Sequence, residues 1–551
     1  MTAAPSPRAG EDPDSGTPSR PPRPRRLIEL LLLVLSWVIG IGGMCLVDLE
    51  LAESLDHRIV SAAVVLVVGS LVIHVILRAK AKYADPFILP IAVALNGIGL
   101  ALIYRVGLTT SAKVIGSQTV WSGLGMVVCA GTVWFLTDHR VLRRITYICL
   151  AASVVLLLLP LVPGLGQEIN GARIWISLGG RTFQPGEIAK ITLAVFFAGY
   201  LSANRDLLLL AGRRIGPVRL PRFRDFAPML VAWLVSIGVL VMQHDLGSAI
   251  LFFGLFLVML YLATNSLTWV GIGLVLVAVG GVFAYRTMGH VTVRIDSWVH
   301  AFDPEVYNRE FGGSSQVVQG LFGLASGGLF GRGLGNGRPD LVPFANSDMI
   351  VSLIGEELGL LGLGAVLMLF FLLATRGLRA ALGTPDTFGK LLAAGCPRSW
   401  CCSCSSSSAG LPTDPPDRAD HPVHVAGGSS LLANWVIVGL LLAISHSARA
   451  RGWSTTPPTR RRRSRGAPPS PPRSSGPPRR SPTWAGPAQT PAALTPPPPR
   501  NRMETVDEPS DPPHLAGRGR GVRAAAGLPD LRPVLRRRLP GGQRLELPAP
   551  V

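Results

Sequence analysis

The sequence predicts an all-α polytopic membrane protein, a bundle of about 10–12 transmembrane helices with one long extracellular loop. Three observations predict it. The chain is 48% hydrophobic and only 16% charged, whereas soluble domains carry roughly a quarter charged residues. Several apolar runs reach the roughly 20 residues that span a bilayer. These runs lack the period-two alternation of a membrane barrel, and helices are the other way to satisfy a backbone in lipid.

The elements follow in order. Residues 1–26 are Pro-rich and polar, end in PRPRR, and read as a disordered cytoplasmic N-terminus. The apolar stretch that follows is too long for a signal-peptide core and shows no clear cleavage site, so it reads as the first span. Spans are expected near 27–47, 58–78, 87–104, 119–136, 145–162, 187–203, 226–242, 247–264, 267–287, 348–374 and 430–445. The connecting loops alternate in charge. Loops 78–86 (RAKAKYADP), 138–144 (DHRVLRR) and the Arg-rich 204–225 suit the cytoplasm, and the acidic 48–57 (DLELAESLDH) suits the outside. With the N-terminus inside, segments 163–186, 243–247 and 288–347 lie on the outer face. The last is by far the longest, and loops of that length usually carry function.

The C-terminal part changes character. Segment 396–426 (CPRSWCCSCSSSSAGLPTDPPDRADHPVHVA) cannot span a membrane. It reads either as out-of-frame, non-native sequence or as a genuine loop. Residues 427–446 return to an apolar helix, and 447–551 read as a disordered, basic Pro/Arg-rich tail. From Arg449 onward there are 20 arginines, no lysine and 6 acidic residues, so this tail holds most of the net charge of +20. The remainder fits cytoplasmic loops, which argues for a membrane surface and against nucleic acid. Four of the seven cysteines crowd into CPRSWCCSC. That spacing is not a zinc pattern, and neither a structural metal nor a disulfide framework is expected.

The polar residues of the outer segments carry the candidate chemistry. In GARIWISLGGRTFQPGEIAK (171–190), Arg173, Trp175 and Arg181 lead into QPGE and then a span. Pro185 suits a first helical turn and Glu187 complements the positive helix end. Glu187 and Lys190 are three apart and share a face. A lysine one turn into an apolar span needs a partner or a polar cavity, so the pair either pins the helix start or faces a substrate. In QHDLGS (243–248), Asp245 either caps the next helix or handles a ligand. The stretch SSQVVQGLFGLASGGLFGRGLGNG (314–337) sets Gln316 and Gln319 three apart. Its glycines permit close approach to a ligand, but no GK[ST] follows as in a nucleotide loop. In VPFANSDMIVSLIGEELGLLG (342–362), Asp348 stands at the outer mouth of a span. It is either an N-cap or a partly desolvated base acting on an outside substrate. Glu356 and Glu357 fall within the apolar run and must face the bundle interior, a cavity or partners.

Together these strings resemble the SEDS family (shape, elongation, division and sporulation), which includes RodA, FtsW and SpoVE. The matching segments are NGIGLALIYR (96–105), GARIWISLGG (171–180), QPGEIAK (184–190), QHDLGSA (243–249), VQGLFGLASGGLFGRGLG (318–335), NSDMIVSLIGEELGLLG (346–362) and GGSSLLANW (427–435), in family order. FQPGEIAK and GGSSLLANW look like the actinobacterial RodA branch. Two extra helices over 27–86, ahead of a SEDS glycosyltransferase core at 87–446, suit that branch too. The resemblance implies a SEDS-type helix bundle in the cell (plasma) membrane that polymerises lipid II into peptidoglycan for elongation and shape. The growing glycan would pass from its polyprenyl pyrophosphate to the 4-hydroxyl of the incoming disaccharide, with a class B penicillin-binding protein as partner. It implies Asp348 as general base. Arg173, Glu187 and Lys190 would sit around a central cavity, where a cation stabilises the leaving pyrophosphate. Gln316, Gln319 and Asp245 complete the expected substrate-binding set. No cofactor is fixed by the sequence; a divalent cation, Mg or Mn, would assist the pyrophosphate, and no ligand cluster marks a site for it.

Three departures from the family pattern stand out. Gly186 replaces a common Ser, NSD replaces the frequent HTD, and PVHVAGG stands where the family has a helix followed by TxPFxSYGG. A further helix is therefore expected between 390 and 412. Two other readings use the same residues: a lipid II flippase or transporter with Lys190, Glu356 and Glu357 along its path, and a non-catalytic scaffold of the elongation or division machinery. Asp348 at the outer mouth favours chemistry on a substrate already flipped.

Overall fold

The computed structural model describes residues 26–51, 56–109, 113–136, 138–169, 172–178, 181–205, 213–215, 218–220, 223–243, 245–309, 312–343, 345–346, 349–395 and 428–454. All belong to the first of the chain's two compact units, Met1–Arg461. The N-terminal 25 residues, segment 396–426 and the tail beyond 454 lie outside the described residues, with the expectations placed on them.

The apolar runs form helices in chain order. They are α1 (Arg26–Leu51), α2 (His57–Lys80), α3 (Ile88–Thr109), α4 (Lys113–Phe135), the single turn α5 (Val141–Arg144), α6 (Thr146–Leu158), α7 (Pro185–Ala203), α8 (Phe223–Met242), α9 (Leu246–Thr264) and α10 (Leu267–Thr287). Among the described residues eight helices are long and apolar enough to cross a membrane: α1, α2, α3, α7, α9, α10, α14 (Ile350–Gly383) and α16 (Gly428–Ser454). Shorter apolar helices are α6, with its 3-10 extension Leu159–Leu161, and α8. Helix α4 packs between α2 and α16.

The structure adds detail where the sequence was read only as loop. Segment 163–186 holds a three-stranded antiparallel sheet, β1 (Gly166–Ile169), β2 (Ala172–Leu178) and β3 (Arg181–Phe183). A second hairpin, β4 (Arg213–Ile215) and β5 (Val218–Leu220), joins α7 to α8. The long 288–347 segment contains α11 (Gly289–Val299), α12 (Pro304–Tyr307) and α13 (Ser315–Gly327). Helix α14 runs to Gly383 rather than 374, and α15 (387–395) occupies the start of the region where a further span was expected.

One apolar core runs through α1 to α4, α6 to α9 and α14 to α16, with Phe196, Phe197, Trp233 and Phe256 packed between α7, α8 and α9. Helices α1, α2 and α10 turn residues such as Val38, Val64, Leu274 and Phe283 outward. An apolar helix surface of that kind suits lipid rather than water. Helix α1 meets α3 through small residues. A Cβ added at Gly40 would lie 2.8 Å from the Gly97 Cα, a backbone approach typical of membrane helix pairs. Ser36 strengthens the crossing by donating to the Pro90 carbonyl at 2.8 Å.

The basic loops 78–86 and 138–144 lie at one end of the bundle, beside the ends of α14 and α16. There Arg449 pairs with buried Asp85 at 2.6 Å, and the Tyr83 and His446 rings stack. His139 meets Asp386 at 3.1 Å. Burial alone would raise the Asp386 pKa. Hydrogen bonds from His139 and the Gly389 amide, with the His139 and Arg140 charges, outweigh it and hold the carboxyl well below its ordinary value. At the same end Glu29 is fully buried between Arg26 and His74. These contacts tie the extra pair α1–α2 and the C-terminal helix into the common bundle.

Replacing Gly40 by Val should destabilise the protein by about 1–3 kcal/mol, the range for overpacking a tight contact. Gly42→Ala, where a Cβ meets nothing within 4 Å, should be close to neutral. Thermal unfolding of both variants in detergent checks the difference.

Candidate functional site

The end opposite the basic loops holds the sequence-marked polar residues in two groups. The first surrounds the start of α7. Gln184 is its N-cap residue, Pro185 fills the first turn, and Glu187 complements the helix dipole. Lys190 donates to Glu187 at 2.8 Å, with both side chains about nine-tenths buried. The helix is anchored by Gly199, whose added Cβ would lie 2.1 Å from Thr146 Oγ1. Beside it, Ile174, Gln184, Gly186, Gln243, Asp245 and Ser248 line a small recess. Asp245 is the N-cap of α9 and accepts from the Ser248 amide at 2.9 Å. Arg173 does not join this group. Ile174 faces the recess, successive strand residues face opposite sides, and Arg173 forms an exposed pair with Glu168 at 2.8 Å.

The second group is built on a break in α14. Gly359 has φ 69° and ψ −175°, which interrupts the helix. In an unbroken helix the Leu360 and Leu361 amides would bond the carbonyls of Glu356 and Glu357. Instead they donate to the carbonyls of Gly328 and Leu329, at 3.0 and 3.1 Å. The two freed carbonyls accept from Arg332 and Gly333, at 2.9 and 3.0 Å. The segment after α13 thus replaces each backbone bond that the break removes. Such an approach requires glycine: a Cβ at Gly331 would lie 2.2 Å from the Glu357 carbonyl oxygen, and Gly331 has φ +84°.

Side chains secure the splice. Glu356 and Glu357 are both buried. Glu356 accepts from the Arg338 amide at 3.1 Å. Glu357 accepts from Arg105 Nε at 3.0 Å, and Arg105 also donates to the Gly337 carbonyl at 2.7 Å. In the sequence Arg105 is the last residue of NGIGLALIYR, within an apolar span. An arginine in an apolar span demands a counter-charge, and that was the available signal. A small apolar cluster then seats the chain that follows: Leu102 and Val106 of α3 pack with Val342, Ala345, Met349 and Leu353.

Helix α13 covers the start of α14. Cβ atoms added at Gly320 and Gly323 would face Met349, Ser352 and Glu356. Gln316, one turn before Gly320, shares that face. It is 5% exposed, and neither polar atom of its amide has a hydrogen-bond partner among the described residues. Gln319 instead donates to the Tyr307 hydroxyl at 3.3 Å. Asp348 lies outside the described residues; the N-cap position of α14 is Met349, which makes no side-chain cap bond. Among the described residues no three His, Cys, Asp or Glu side chains form a metal-binding group.

Breaking the Arg105–Glu357 pair from either side should cost about 3–5 kcal/mol, because the survivor is a buried, unpaired charge. Arg105→Met combined with Glu357→Leu should recover much of that loss. A thermal double-mutant cycle reads the coupling, and additive single effects would show that the pair is not coupled.

Residues 86–450 match the Cell cycle protein family of FtsW, RodA and SpoVE. Peptidoglycan glycosyltransferase RodA of Mycobacterium tuberculosis is 42% identical over 441 residues, covering 78% of this chain and 92% of that protein. The RodA of Mycobacterium leprae is 43% identical over 454 residues, covering 79% and 95%. A chain from the structure described as "Structural coordination of polymerization and crosslinking by a peptidoglycan synthase complex" is 25% identical. It covers 66% of this chain and 98% of its own length, with a TM-score of 0.51. A match that spans the bundle from α3 to α16, with the ordered motifs and their partners in place, identifies the chain as a member of the FtsW, RodA and SpoVE family.

Proposed function

We propose that this chain is a peptidoglycan glycosyltransferase of the RodA branch that polymerises lipid II at the outer face of the cell membrane, with its N-terminus in the cytoplasm. The observation that carries the reading is the 42% identity over 441 residues to a relative named for that activity. The charge asymmetry of the two ends supports the orientation. A class B penicillin-binding protein is the partner on this reading, and the similarity to a chain of a synthase complex that combines polymerization with crosslinking supports it.

The chemistry requires a base, a stabilised leaving group and a held acceptor. Asp348 removes the proton from the acceptor sugar's 4-hydroxyl. The oxygen then bonds to the anomeric carbon of the growing strand, and the polyprenyl pyrophosphate leaves with the electron pair. Lys190, held by Glu187 in the first turns of α7, supplies positive charge for that pyrophosphate. A divalent cation enters only as a companion of the pyrophosphate. Gln316 has a buried amide with no hydrogen-bond partner among the described residues; an unmet amide costs about 1–3 kcal/mol, and a substrate hydroxyl or amide offsets that cost. Asp245 keeps its capping bond while lining the recess, so it shapes the recess for ligand groups near α7. Gln319 supports the same helix face through Tyr307, and Arg173 contacts substrate from the exposed side of the sheet.

The test is polymerisation of labelled lipid II by the purified protein with its penicillin-binding partner, followed on gels. The parent should make polymer. Folded Asp348→Asn should lose about 100-fold or more, as expected for a lost general base. Lys190→Ala should lose at least about tenfold. Full polymerisation by Asp348→Asn would remove that residue as the base. Lipid II transbilayer movement without polymer would replace the reading with a flippase.

A further inference from the structure

The pair α1–α2 lies entirely before residues 86–450, the part matched to the family. We propose that this hairpin is a brace for the site, and that Asp48 is a positioning residue acting through Tyr104 and Arg105 on the segment spliced into the break of α14. The proposal rests on the polymerase reading for its effect on turnover, but not for its structural claim.

The connection is continuous. Asp48 lies near the end of α1 and is fully buried, although it is a carboxylate in an apolar span. Such a group persists only with partners. One oxygen accepts from the Tyr104 hydroxyl and the other from the Asp56 amide at 2.6 Å. Tyr104 is itself buried, with the Arg58 guanidinium of α2 6.0 Å from its ring centre. The next residue, Arg105, holds both Glu357 and the Gly337 carbonyl. These two contacts sit on either side of the splice, one on α14 and the other on the segment laid against it.

A second contact reaches the same segment directly. An added Cβ at Gly335 would lie 3.1 Å from the Glu50 Cβ and 3.7 Å from Leu51. Leu334 packs against the main core. The end of α1 therefore approaches Gly335, while Arg105 fixes Gly337. Val342, Ala345 and Met349 follow, and Asp348 lies among them in the chain. Without Asp48, Tyr104 loses its acceptor, Asp56 loses its tie to α1, and Arg105 holds the splice from a helix no longer tied to the hairpin at that point.

The opposite end of the same hairpin provides the control. His74 of α2 bonds Glu29 of α1 at 2.8 Å among the basic loops. Its loss weakens the hairpin far from the splice. The full chain in detergent would be compared as parent, Asp48→Ala, Asp48→Asn, Tyr104→Phe and His74→Ala. Amide hydrogen exchange would be followed at residues 328–337, and lipid II turnover measured with the partner synthase.

Asp48→Ala and Tyr104→Phe should speed exchange of the Arg332 and Gly333 amides by tenfold or more. They should lower kcat about tenfold with KM within about twofold, and Asp48→Asn should restore part of both. His74→Ala should leave both readouts at the parent level. The proposal is overturned if Asp48→Ala and Tyr104→Phe leave exchange unchanged, or if His74→Ala changes it equally. If the parent makes no polymer, the polymerase reading fails, yet the exchange comparison still decides whether the hairpin braces the splice.

Discussion

Two leucine amides set the arrangement of one whole end of this protein. Where α14 breaks at Gly359, Leu360 and Leu361 lose the acceptors an unbroken helix would give them, and two carbonyls lose their donors. In lipid each unmet group costs several kcal/mol, so a break survives only where other backbone satisfies all four groups. The segment after α13 does so, and this explains why it is rich in glycine. The same proximity brings Glu356 and Glu357 beside Arg338 and Arg105. Burial of the carboxylates, the intramembrane arginine and the glycines of 327–337 are consequences of one backbone constraint.

Much of this was legible in the sequence, and the limits have physical causes. Spans were readable because apolar length and loop charge are local properties. Glu187 and Lys190 were readable as a pair because three-residue spacing fixes a helical neighbour; they meet at 2.8 Å. Glu356 and Glu357 were marked as needing partners, but the partner Arg105 is 252 residues from Glu357 in the chain. No local rule finds a contact of that separation. The glycines were read as ligand-facing, whereas Gly331 approaches backbone of the same chain. Composition shows that something must come close, not what.

The sheet at 163–186 had a signal that polarity concealed. In ARIWISL the residues Ile174, Ile176 and Leu178 alternate with Arg173, Trp175 and Ser177, which is the period of a half-buried strand. Ile176 is buried and Arg173 exposed. The alternation separates Arg173 from the recess that Ile174 lines, so residues adjacent in a motif serve opposite faces. Motif strings locate a region; the secondary structure within it decides which side chains can act together. Asp245 makes the same point, since it is both a helix cap and part of the recess wall.

A glycosyl transfer places further demands on this end of the bundle. Reacting groups must be held to within about an ångström, and misplacement of that size can cost 100-fold. Val342, Ala345 and Met349 stand outside helices and strands, after the single turn that ends at Leu341. Their position comes from what grips them: α3 through Leu102 and Val106, α13 through the face of Gly320 and Gly323, and the splice on the preceding side. Two of these three supports trace back to residues 102–106 of α3, where Tyr104 carries the bond to Asp48. Helix α3 in turn is packed backbone-close to α1 through Gly40 and Gly97. An irregular segment can thus be as precise as a helix when each of its neighbours is rigid, and support here passes from the N-terminal hairpin through α3 to Val342, Ala345 and Met349.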